Sequence, residues 1–260
     1  MTEGSARRVA LVMGGGAGTG RATALAFANA GYAVVVADID GDRAQSTLER
    51  LQAAGSDGLA READMASAED VARIIADIRK QFGALHAVSN NAAASPRNLP
   101  ITEITEAEWD RCHSVTLKGV WLCMKYQLPL IESSGGGAIV NIASVSGMRG
   151  EVFQSAYAAA KGGVITLSKA AAAEYAKRGV RVNTVCPGGI NTGGMQRYLK
   201  HLEAETLEKV LNAHAMGRLA EPEEIANAVV WLCSEQASFI TGHDLVVDGG
   251  VLVRSNVVEL

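Results

Sequence analysis

Short, largely apolar segments recur along this chain, and stretches with helical periodicity separate them. About seven such runs read as strands. Six have clear bounds: Val9–Met13, Ala33–Ala37, Leu85–Ser89, Gly137–Ser144, Val180–Cys186 and Leu245–Val247. Runs of this kind, without polar alternation, are typical of strands that are buried on both faces of a sheet. Their alternation with helices predicts an α/β fold, a doubly wound parallel sheet of about seven strands with helices on both faces.

No Pro- or Ser-rich linker and no repeat interrupts the 260 residues, so we predict a single domain over 1–260. Its nucleotide-binding half is expected over about 1–140 and its catalytic and substrate half over about 141–260. The formal net charge of −4, with no long run of one sign, argues against nucleic-acid and membrane partners. No segment approaches the ~20 apolar residues of a membrane span. The 4 cysteines lack the spacing of metal ligands, so we expect no metal and a cytoplasmic protein.

A glycine-rich turn follows the first predicted strand and precedes a helix. Gly14, Gly18 and Gly20 stand in a G-x-x-x-G-x-G pattern. Glycines at this place let backbone amides approach a pyrophosphate at the positive end of the helix, although ordinary tight turns use glycine too. Asp38 ends the second strand, ~20 residues beyond the glycines, where an acid binds the ribose 2′-hydroxyl of NAD and repels the 2′-phosphate of NADP. The glycine turn and Asp38 together predict an NAD site of the Rossmann type. The alternative is that Asp38 is a solvated acid at the end of a strand.

Tyr157 and Lys161 stand one helical turn apart on an Ala-rich helix, so their side chains share a face. Hydride transfer at an alcohol carbon needs a group that exchanges the hydroxyl proton. A nearby ammonium stabilises a phenolate and lowers the pKa of the tyrosine from its ordinary value of ~10, which suits general acid–base work. Alone, such a pair is more often an exposed helix face than a catalytic site.

Further pieces occur in a characteristic order and spacing. They are Gly14-x-x-x-Gly18-x-Gly20, Asp38, Asp64, Asn90-Asn91-Ala92, Ser144, Tyr157-Ala-Ala-Ala-Lys161, Asn183, Pro187-Gly188 and Asp248-Gly249-Gly250. Together they resemble the classical short-chain dehydrogenase/reductase family over nearly the whole chain. For Asp64, Asn183 and Asp248, an ordinary loop, buried or turn role remains an alternative.

The resemblance implies a role for each piece. Ser144 would hydrogen-bond the substrate oxygen, Tyr157 would exchange the proton with it, and Lys161 would hold the nicotinamide ribose. The implied cofactor contacts are Gly14, Gly18, Thr19, Gly20, Asp38, Ile39, Asp64, Met65, Asn91, Ala92, Tyr157, Lys161, Pro187, Gly188, Ile190 and Thr192. The expected substrate pocket includes Ala94, Ser146, Gln154, Gly189 and Met195, beneath an amphipathic lid over about 191–217.

One departure from the family pattern concerns the central helix. The family usually carries an asparagine in a Val-Asn-Leu-x-Gly run, where its side chain displaces the helix ladder. A main-chain carbonyl is then free to hold a water that connects the lysine to solvent. This chain has Thr116 at that place. A threonine hydroxyl can bond the carbonyl three or four residues earlier, so the helix can still bend. Because the double reach of an amide is lost, we expect a weakened or rerouted proton relay.

The expected function is hydride transfer between NAD(H) and a hydrophobic or cyclic secondary alcohol or ketone, by a homotetramer. An NADP-dependent ketoreductase and a non-catalytic NAD sensor are the alternatives. An enoyl reductase typically has more residues between tyrosine and lysine, and an epimerase of the extended relatives needs a larger C-terminal domain. The 5 histidines are scattered, and none is expected to be catalytic.

Overall fold

One parallel sheet organises the chain in a computed structural model that describes residues 7–254. Its strands are β1 (Val9–Met13), β2 (Ala33–Asp38), β3 (Gly58–Glu62), β4 (Ala87–Asn90), β5 (Gly137–Ile142), β6 (Val180–Pro187) and β7 (Asp244–Val247). They pair in the order β3-β2-β1-β4-β5-β6-β7, and every pair is parallel. The predicted doubly wound sheet is confirmed, while residues 1–6 and 255–260 of the predicted domain lie outside the described part.

The helices cover both faces of the sheet. They are α1 (Gly18–Asn29), α2 (Gly41–Ala53), α3 (Ala68–Phe82), α4 (Glu106–His113), α5 (Gly119–Ser133), α6 (Ser155–Tyr175), α7 (Gly193–Leu199), α8 (Ala204–Asn212) and α9 (Pro222–Cys233). Leu11 faces the cluster that α3, α5 and α6 build, whereas Val12 faces the cluster that α1, α2 and α9 build. Both faces of β1 are therefore buried, which explains why its sequence does not alternate. Within residues 7–254, no helix is long and apolar enough to cross a membrane.

Two predicted helical stretches are interrupted. The sequence predicts one helix over 106–131, but a π-helical turn at Ser114–Lys118 separates α4 from α5. A π-turn inserts an extra residue into the ladder, and turns of this kind are frequent at functional sites. The predicted lid contains two short helices, α7 and α8, rather than one. Both interruptions lie beside the carboxyl ends of the strands.

Candidate active site

A cavity of about 770 Å³ opens at the carboxyl ends of β1, β4, β5 and β6. Strand order reverses here, because β1 lies between β2 on one side and β4 on the other. Such a switch point is where doubly wound sheets bind ligands. The cavity is lined by Gly14, Ala17, Gly18, Thr19, Gly20, Arg21, Arg43, Asn91, Ala93, Ile142, Ala143, Ser144, Tyr157, Lys161, Pro187, Gly188, Ile190, Thr192, Gly193, Gly194 and Arg197.

The glycine turn brings the start of α1 against the end of β1. A Cβ on Gly20 would lie 1.9 Å from the carbonyl oxygen of Gly14, so no larger residue fits there. Gly14 has a φ of +74°, in the region that favours glycine. Helix α1 has neither a side-chain N-cap bond nor an acidic residue in its first turn. Its first backbone amides are therefore free to bind an anion in the cavity.

Asp38 lies at the edge of this turn and holds it in place. Its Oδ2 accepts a hydrogen bond from the Gly16 amide at 2.8 Å, and its Oδ1 accepts one from the Asp40 amide at 3.1 Å. Arg43 forms an ion pair with Asp40 at 2.9 Å and also lines the cavity. Arg21 donates to the Gly16 carbonyl at 2.5 Å. The carboxylate is thus fixed by two backbone amides rather than neutralised by a direct ion pair.

A smaller concavity of about 390 Å³ lies beyond the end of β2. Ile39 and Asp64, two of the predicted cofactor contacts, line it together with Glu62, Ala63, Asp70 and Arg73. Ile39 is 70% exposed, while Met65 is buried behind it in the core. Asp64 accepts a bond from the Ala66 amide at 2.8 Å. The concavity offers an exposed apolar side chain, that of Ile39, and the Asp64 carboxylate, the groups that an adenine ring would contact.

Asn91 presents an unsatisfied acceptor beside the cavity. Its Nδ2 donates to the carbonyl oxygens of Met13 and Ser89 at 3.3 and 3.1 Å, which ties the ends of β1 and β4 together. Its Oδ1 is buried and has no hydrogen-bond partner in the described chain. An orphaned buried acceptor is rare, so a ligand hydroxyl or a water is expected to complete it. With the open helix terminus, this atom makes the residues fit a dinucleotide cofactor.

The predicted catalytic side chains lie together at the floor of the same cavity. Ser144 follows β5 in extended conformation, and its Oγ accepts a bond from the Ser146 amide at 3.1 Å. The Tyr157 side chain, in the first turn of α6, lies beside Ser144, and the interaction between the two hydroxyls counteracts part of the effect of burial on the pKa of Tyr157. A Cβ on Gly147 would lie 2.7 Å from the Lys161 carbonyl carbon, so glycine lets the turn after β5 pack directly on α6. That close approach brings serine and tyrosine together.

The Lys161 side chain is fully buried and turns toward the sheet. Its Nζ donates to the carbonyl oxygen of Ile142 at 2.5 Å and lies 5.6 Å from the centroid of the Tyr157 ring. Burial lowers the pKa of Lys161 to about 8. Burial also raises the pKa of Tyr157 to about 12, although the hydrogen bond with Ser144 opposes this shift. In the chain on its own the ammonium bonds the Ile142 carbonyl, and the lowering of the phenol pKa by Lys161 stays a prediction for the complex with cofactor.

Thr116 lies in the π-turn, but its contacts differ from the expectation. Its Oγ1 donates to the carbonyl oxygen of Ala94 at 3.2 Å and accepts from the Ala94 amide at 3.0 Å. The hydroxyl thus bonds the loop after β4, and not a carbonyl of its own helix. The widened helix is present all the same, at Ser114–Lys118. One hydroxyl serves both polar groups of Ala94 and fixes this predicted pocket residue to the central helix.

The predicted substrate residues surround the cavity without lining it. Ala94 is bound by Thr116, Ser146 donates through its hydroxyl to Glu151, and Gln154 precedes α6. Met195 lies in the first turn of α7, where its amide donates to the Thr192 hydroxyl at 3.3 Å. This hydroxyl, which belongs to a predicted cofactor contact, here caps the helix. The Gly189 amide donates to Nε2 of His214 at 2.9 Å.

Two motif residues have the structural roles that the sequence left open. Asn183 is fully buried and bonds Ile240 and His243. Asp248 accepts bonds from the amides of Gly250 and Leu252 at 2.8 Å each, as a turn residue does. Neither one lines the cavity.

The sequence shows Arg21 and Arg43 not far from the glycine turn and Asp38, but it does not predict that Arg197 joins them around one cavity. Arg21, Arg43 and Arg197 come from α1, α2 and α7, and all three line it. No local pattern groups the three arginines, because only the fold brings three distant helices to one opening.

Sequence reasoning also missed a buried amide cluster beneath the site, in which Asn90 donates to Gln127 and Asn141 at 3.2 and 2.8 Å. Over residues 7–254, no three His, Cys, Asp or Glu side chains are grouped as metal ligands would be.

The sheet and the cluster at its edge define the class as a nucleotide-dependent oxidoreductase. A family model described as "Enoyl-(Acyl carrier protein) reductase" matches residues 14–252. The chain is 42% identical to cyclohexanol dehydrogenase of Acinetobacter sp. (strain SE19), over 93% of this chain and 94% of the relative. It belongs to the classical short-chain dehydrogenase/reductase family, as the sequence motifs predict.

Two further relatives match nearly the whole chain. The chain is 40% identical to 2,5-dichloro-2,5-cyclohexadiene-1,4-diol dehydrogenase of Sphingobium indicum, over 92% of this chain and 95% of the relative. The crystal structure of levodione reductase superposes with a TM-score of 0.90 at 32% identity, over 95% of this chain and 98% of the other. The protein is thus an oxidoreductase of a family that uses a nicotinamide cofactor.

Proposed function

We propose that the chain catalyses the NAD-dependent oxidation of hydrophobic, cyclic secondary alcohols and the reverse reduction of the ketones. The observation that carries this proposal is the grouping of Ser144, Tyr157 and Lys161 at one cavity that also holds the open terminus of α1. All three relatives described above carry names that denote dehydrogenases or reductases, and two of those names denote six-membered carbocyclic alcohols. The short separation of Tyr157 and Lys161 favours this chemistry over enoyl reduction.

The proton chemistry follows from the order of the side chains. Ser144 and Tyr157 both line the cavity and lie beside each other, so the two hydroxyls can hold one substrate oxygen. In the oxidation direction, the Tyr157 oxygen accepts the proton of the substrate hydroxyl, while a hydride leaves the carbon that bears this hydroxyl. A bound nicotinamide supplies the hydride acceptor. Ketone reduction reverses each step, with the tyrosine as the acid, and Lys161 holds the ribose and stabilises the phenolate.

Asp38 supports the choice of NAD over NADP. Its carboxylate is fixed by the amides of Gly16 and Asp40, where the 2′-position of the ribose is expected. A second acid, Asp40, forms an ion pair with Arg43 and so offsets the nearby cation. Arg21 is engaged with Gly16 and Thr47. A 2′-phosphate would therefore meet a fixed negative charge, while the two arginines nearest to Asp38 in sequence, Arg21 and Arg43, are already engaged.

Exposed apolar side chains near the site support an apolar substrate. Val152 and Phe153 are 75% and 51% exposed on the loop between Ser144 and α6. Tyr198 and Met216 are 48% and 64% exposed on the predicted lid. Large apolar groups that remain exposed in a folded chain are typical of binding surfaces. A ring without charge would bury them when the lid closes.

The assignment is tested with a panel of secondary alcohols. We expect NADH formation, followed by its absorbance, with cyclohexanol and related cyclic alcohols and at lower kcat/KM with linear alcohols and polyols. NADP⁺ is expected to support less turnover than NAD⁺ at equal concentration. Tight NADH binding without turnover of any alcohol or ketone would instead favour the NAD sensor. Faster turnover with NADP⁺ would favour the NADP-dependent ketoreductase.

Replacement of Thr116 tests the proton relay. In Thr116→Asn the amide offers both a donor and an acceptor to Ala94, as the hydroxyl does, and supplies the residue that is usual in the family. We expect the pH–rate profile of alcohol oxidation to change, with a higher rate near neutral pH. Thr116→Val, which leaves both backbone groups of Ala94 unpaired, is expected to lower the rate. A profile that is unchanged in Thr116→Asn would contradict the relay hypothesis.

We also propose that the chain acts as a homotetramer. A groove on the outer face of the central helices is lined by Leu117, Trp121 and Leu167, and Trp121 is 45% exposed. A second apolar region includes Trp231 and Phe239, which are 38% and 103% exposed. Two separate self-complementary faces generate a tetramer. Light scattering at micromolar concentration should give the mass of four chains, and a monomer would refute the proposal.

A further inference from the structure

His214 is a buried histidine that neither the motifs nor the proton chemistry uses. It follows α8, near the end of the predicted lid, and only 5% of it is exposed. Its Nε2 accepts a hydrogen bond from the backbone amide of Gly189 at 2.9 Å. Its Nδ1 lies 3.3 Å from the carbonyl oxygen of Val210. Both ring nitrogens thus have hydrogen-bond partners. Because Nε2 accepts a hydrogen bond, the ring proton is assigned to Nδ1, which faces the Val210 carbonyl.

The partner of this imidazole belongs to the loop that closes one side of the cofactor cavity. Pro187, Gly188 and Ile190 line that cavity, and Gly189 stands between them. A Cβ on Gly189 would lie 3.0 Å from both Cε1 and Nε2 of His214 and 2.6 Å from Cδ2 of Leu219. The imidazole therefore packs closely against the loop backbone, and a larger residue at 189 would require His214 and Leu219 to shift.

The remaining bonds of this loop come from the main chain. The Gly188 amide donates to the Val247 carbonyl at 3.2 Å, the Ala220 amide donates to the Gly189 carbonyl at 2.9 Å, and the Asn191 amide donates to the Ala220 carbonyl at 2.8 Å. Within residues 7–254, one side chain from elsewhere in the sequence bonds the backbone of 188–191, and it is that of His214. It is therefore the one that a substitution can remove.

His214 is itself held firmly. Its carbonyl oxygen accepts from Arg254 at 3.4 Å, and its Cβ packs 3.7 Å from the position of a Cβ on Gly249. The amide of Met216, two residues on, donates to the Gly249 carbonyl at 3.0 Å. The end of the lid is thus fixed to the turn after β7, and the imidazole transmits that fixed position to Gly189.

We propose that His214 is a positioning residue for the cofactor, because its Nε2 holds the Gly189 amide and so keeps the loop 187–190 in the shape that receives the nicotinamide. This inference rests on the proposed cofactor site. Without the acceptor, the amide is buried and unpaired, and the loop samples other shapes. The apparent affinity for the cofactor then falls in proportion to the fraction of molecules whose loop is in the receiving shape.

Two substitutions at this position separate the acceptor from the shape of the side chain. His214→Leu fills a similar space without an acceptor. His214→Gln offers its Oε1 to the Gly189 amide. His86→Leu is the matched control, because the Nδ1 of His86 accepts the Val9 amide at 3.0 Å in the same manner at the opposite end of the sheet. It removes an equivalent bond far from the cofactor cavity.

The readouts are NADH affinity by fluorescence and amide hydrogen exchange of the cofactor-free protein. In His214→Leu we expect the Kd for NADH to rise about tenfold and exchange to accelerate in 187–191. In His214→Gln and His86→Leu we expect both to stay near wild type, with the KM for the alcohol unchanged in all variants. If His214→Leu does not fold, His214→Met carries the same test with a more adaptable side chain.

Wild-type affinity and exchange in a folded His214→Leu would overturn the inference. So would a His214→Gln variant that behaves like His214→Leu, since the shape of the ring and not its acceptor would then matter. Failure of the wild-type protein to bind NADH is a different result, and it would count against the proposed cofactor site itself.

Discussion

Tyr157→Phe should nearly abolish turnover while leaving the fold and the cofactor site in place. The substitution removes one oxygen atom and keeps the ring that packs beside Lys161. Because that oxygen is the proposed proton acceptor, kcat for cyclic alcohols is expected to fall on the order of 10²–10⁴-fold. The Kd for NADH should change no more than about tenfold, the usual net value of one hydrogen bond. Steady-state kinetics and fluorescence titration measure the two quantities.

A second tyrosine on the same helix provides the control. Tyr175 ends α6, and its ring packs beneath the Arg178 guanidinium with the Cζ atom 4.7 Å from the ring centroid, away from the cavity. Tyr175→Phe should retain wild-type kcat. If Tyr157→Phe keeps more than about a tenth of the wild-type kcat, proton transfer by Tyr157 is not the step that the geometry implies.

The pH dependence of the wild-type oxidation follows from the same geometry. Burial raises the pKa of Tyr157 to about 12 in the chain on its own, so the phenol is protonated at neutral pH. Alcohol oxidation needs the deprotonated oxygen, and its rate should therefore increase as pH rises. Ketone reduction needs the protonated oxygen and should decline over the same range. Tyr157→Phe should lose this opposite dependence together with its activity.

Asp38→Asn should shift the cofactor preference from NAD toward NADP. The amide has nearly the shape of the carboxylate but no charge, so repulsion of the 2′-phosphate disappears. At the same time, one of the two backbone amides that the carboxylate binds loses its acceptor. We expect the ratio of kcat/KM for NAD⁺ to that for NADP⁺ to fall about tenfold to hundredfold, ~1.4–2.8 kcal/mol in selectivity.

Asp40→Asn is the matched control for charge. Asp40 lies two residues away, caps α2 by accepting from the Arg43 amide, and pairs with the Arg43 side chain. Asparagine is an equally good N-cap, so α2 should be retained. Asp40→Asn removes one negative charge and also releases Arg43 from its ion pair, so we expect a smaller shift in selectivity than in Asp38→Asn, which removes the charge at the ribose itself. Equal shifts, or no shift in Asp38→Asn, would remove the basis for NAD selectivity at Asp38.

The sequence predicts the bounds of the central strands β1 and β6 but not those of the edge strand β3. The bounds of β1 and β6 were predictable because strands that are buried on both faces have continuous apolar sequences. The edge strand β3 reads Gly-Leu-Ala-Arg-Glu, and its residues are only partly buried. With one neighbour and little burial it needs no apolar run, so the sequence alone does not define its bounds. Its place depends on pairing with β2.

At the central helix, the sequence indicated the interruption but not the hydrogen-bond partner of Thr116. The sequence predicts a bend at Thr116 through a bond to its own helix, and the π-turn is indeed there. The partner of the hydroxyl is Ala94, which is distant in sequence and comes close only when the loop after β4 packs on the helix. Periodicity along one helix carries no information about such a partner.

What the sequence by itself determined is the class of fold, the family and the identity of the residues proposed for catalysis, because these depend on burial patterns and on motif order. Tertiary structure alone decided the direction of each polar group. It turned Lys161 toward Ile142, left the Asn91 Oδ1 without a partner among residues 7–254, and brought His214 against Gly189. Hydrogen bonds are short and directional, and their partners here are far apart along the chain. They form only after the helices have packed on the sheet.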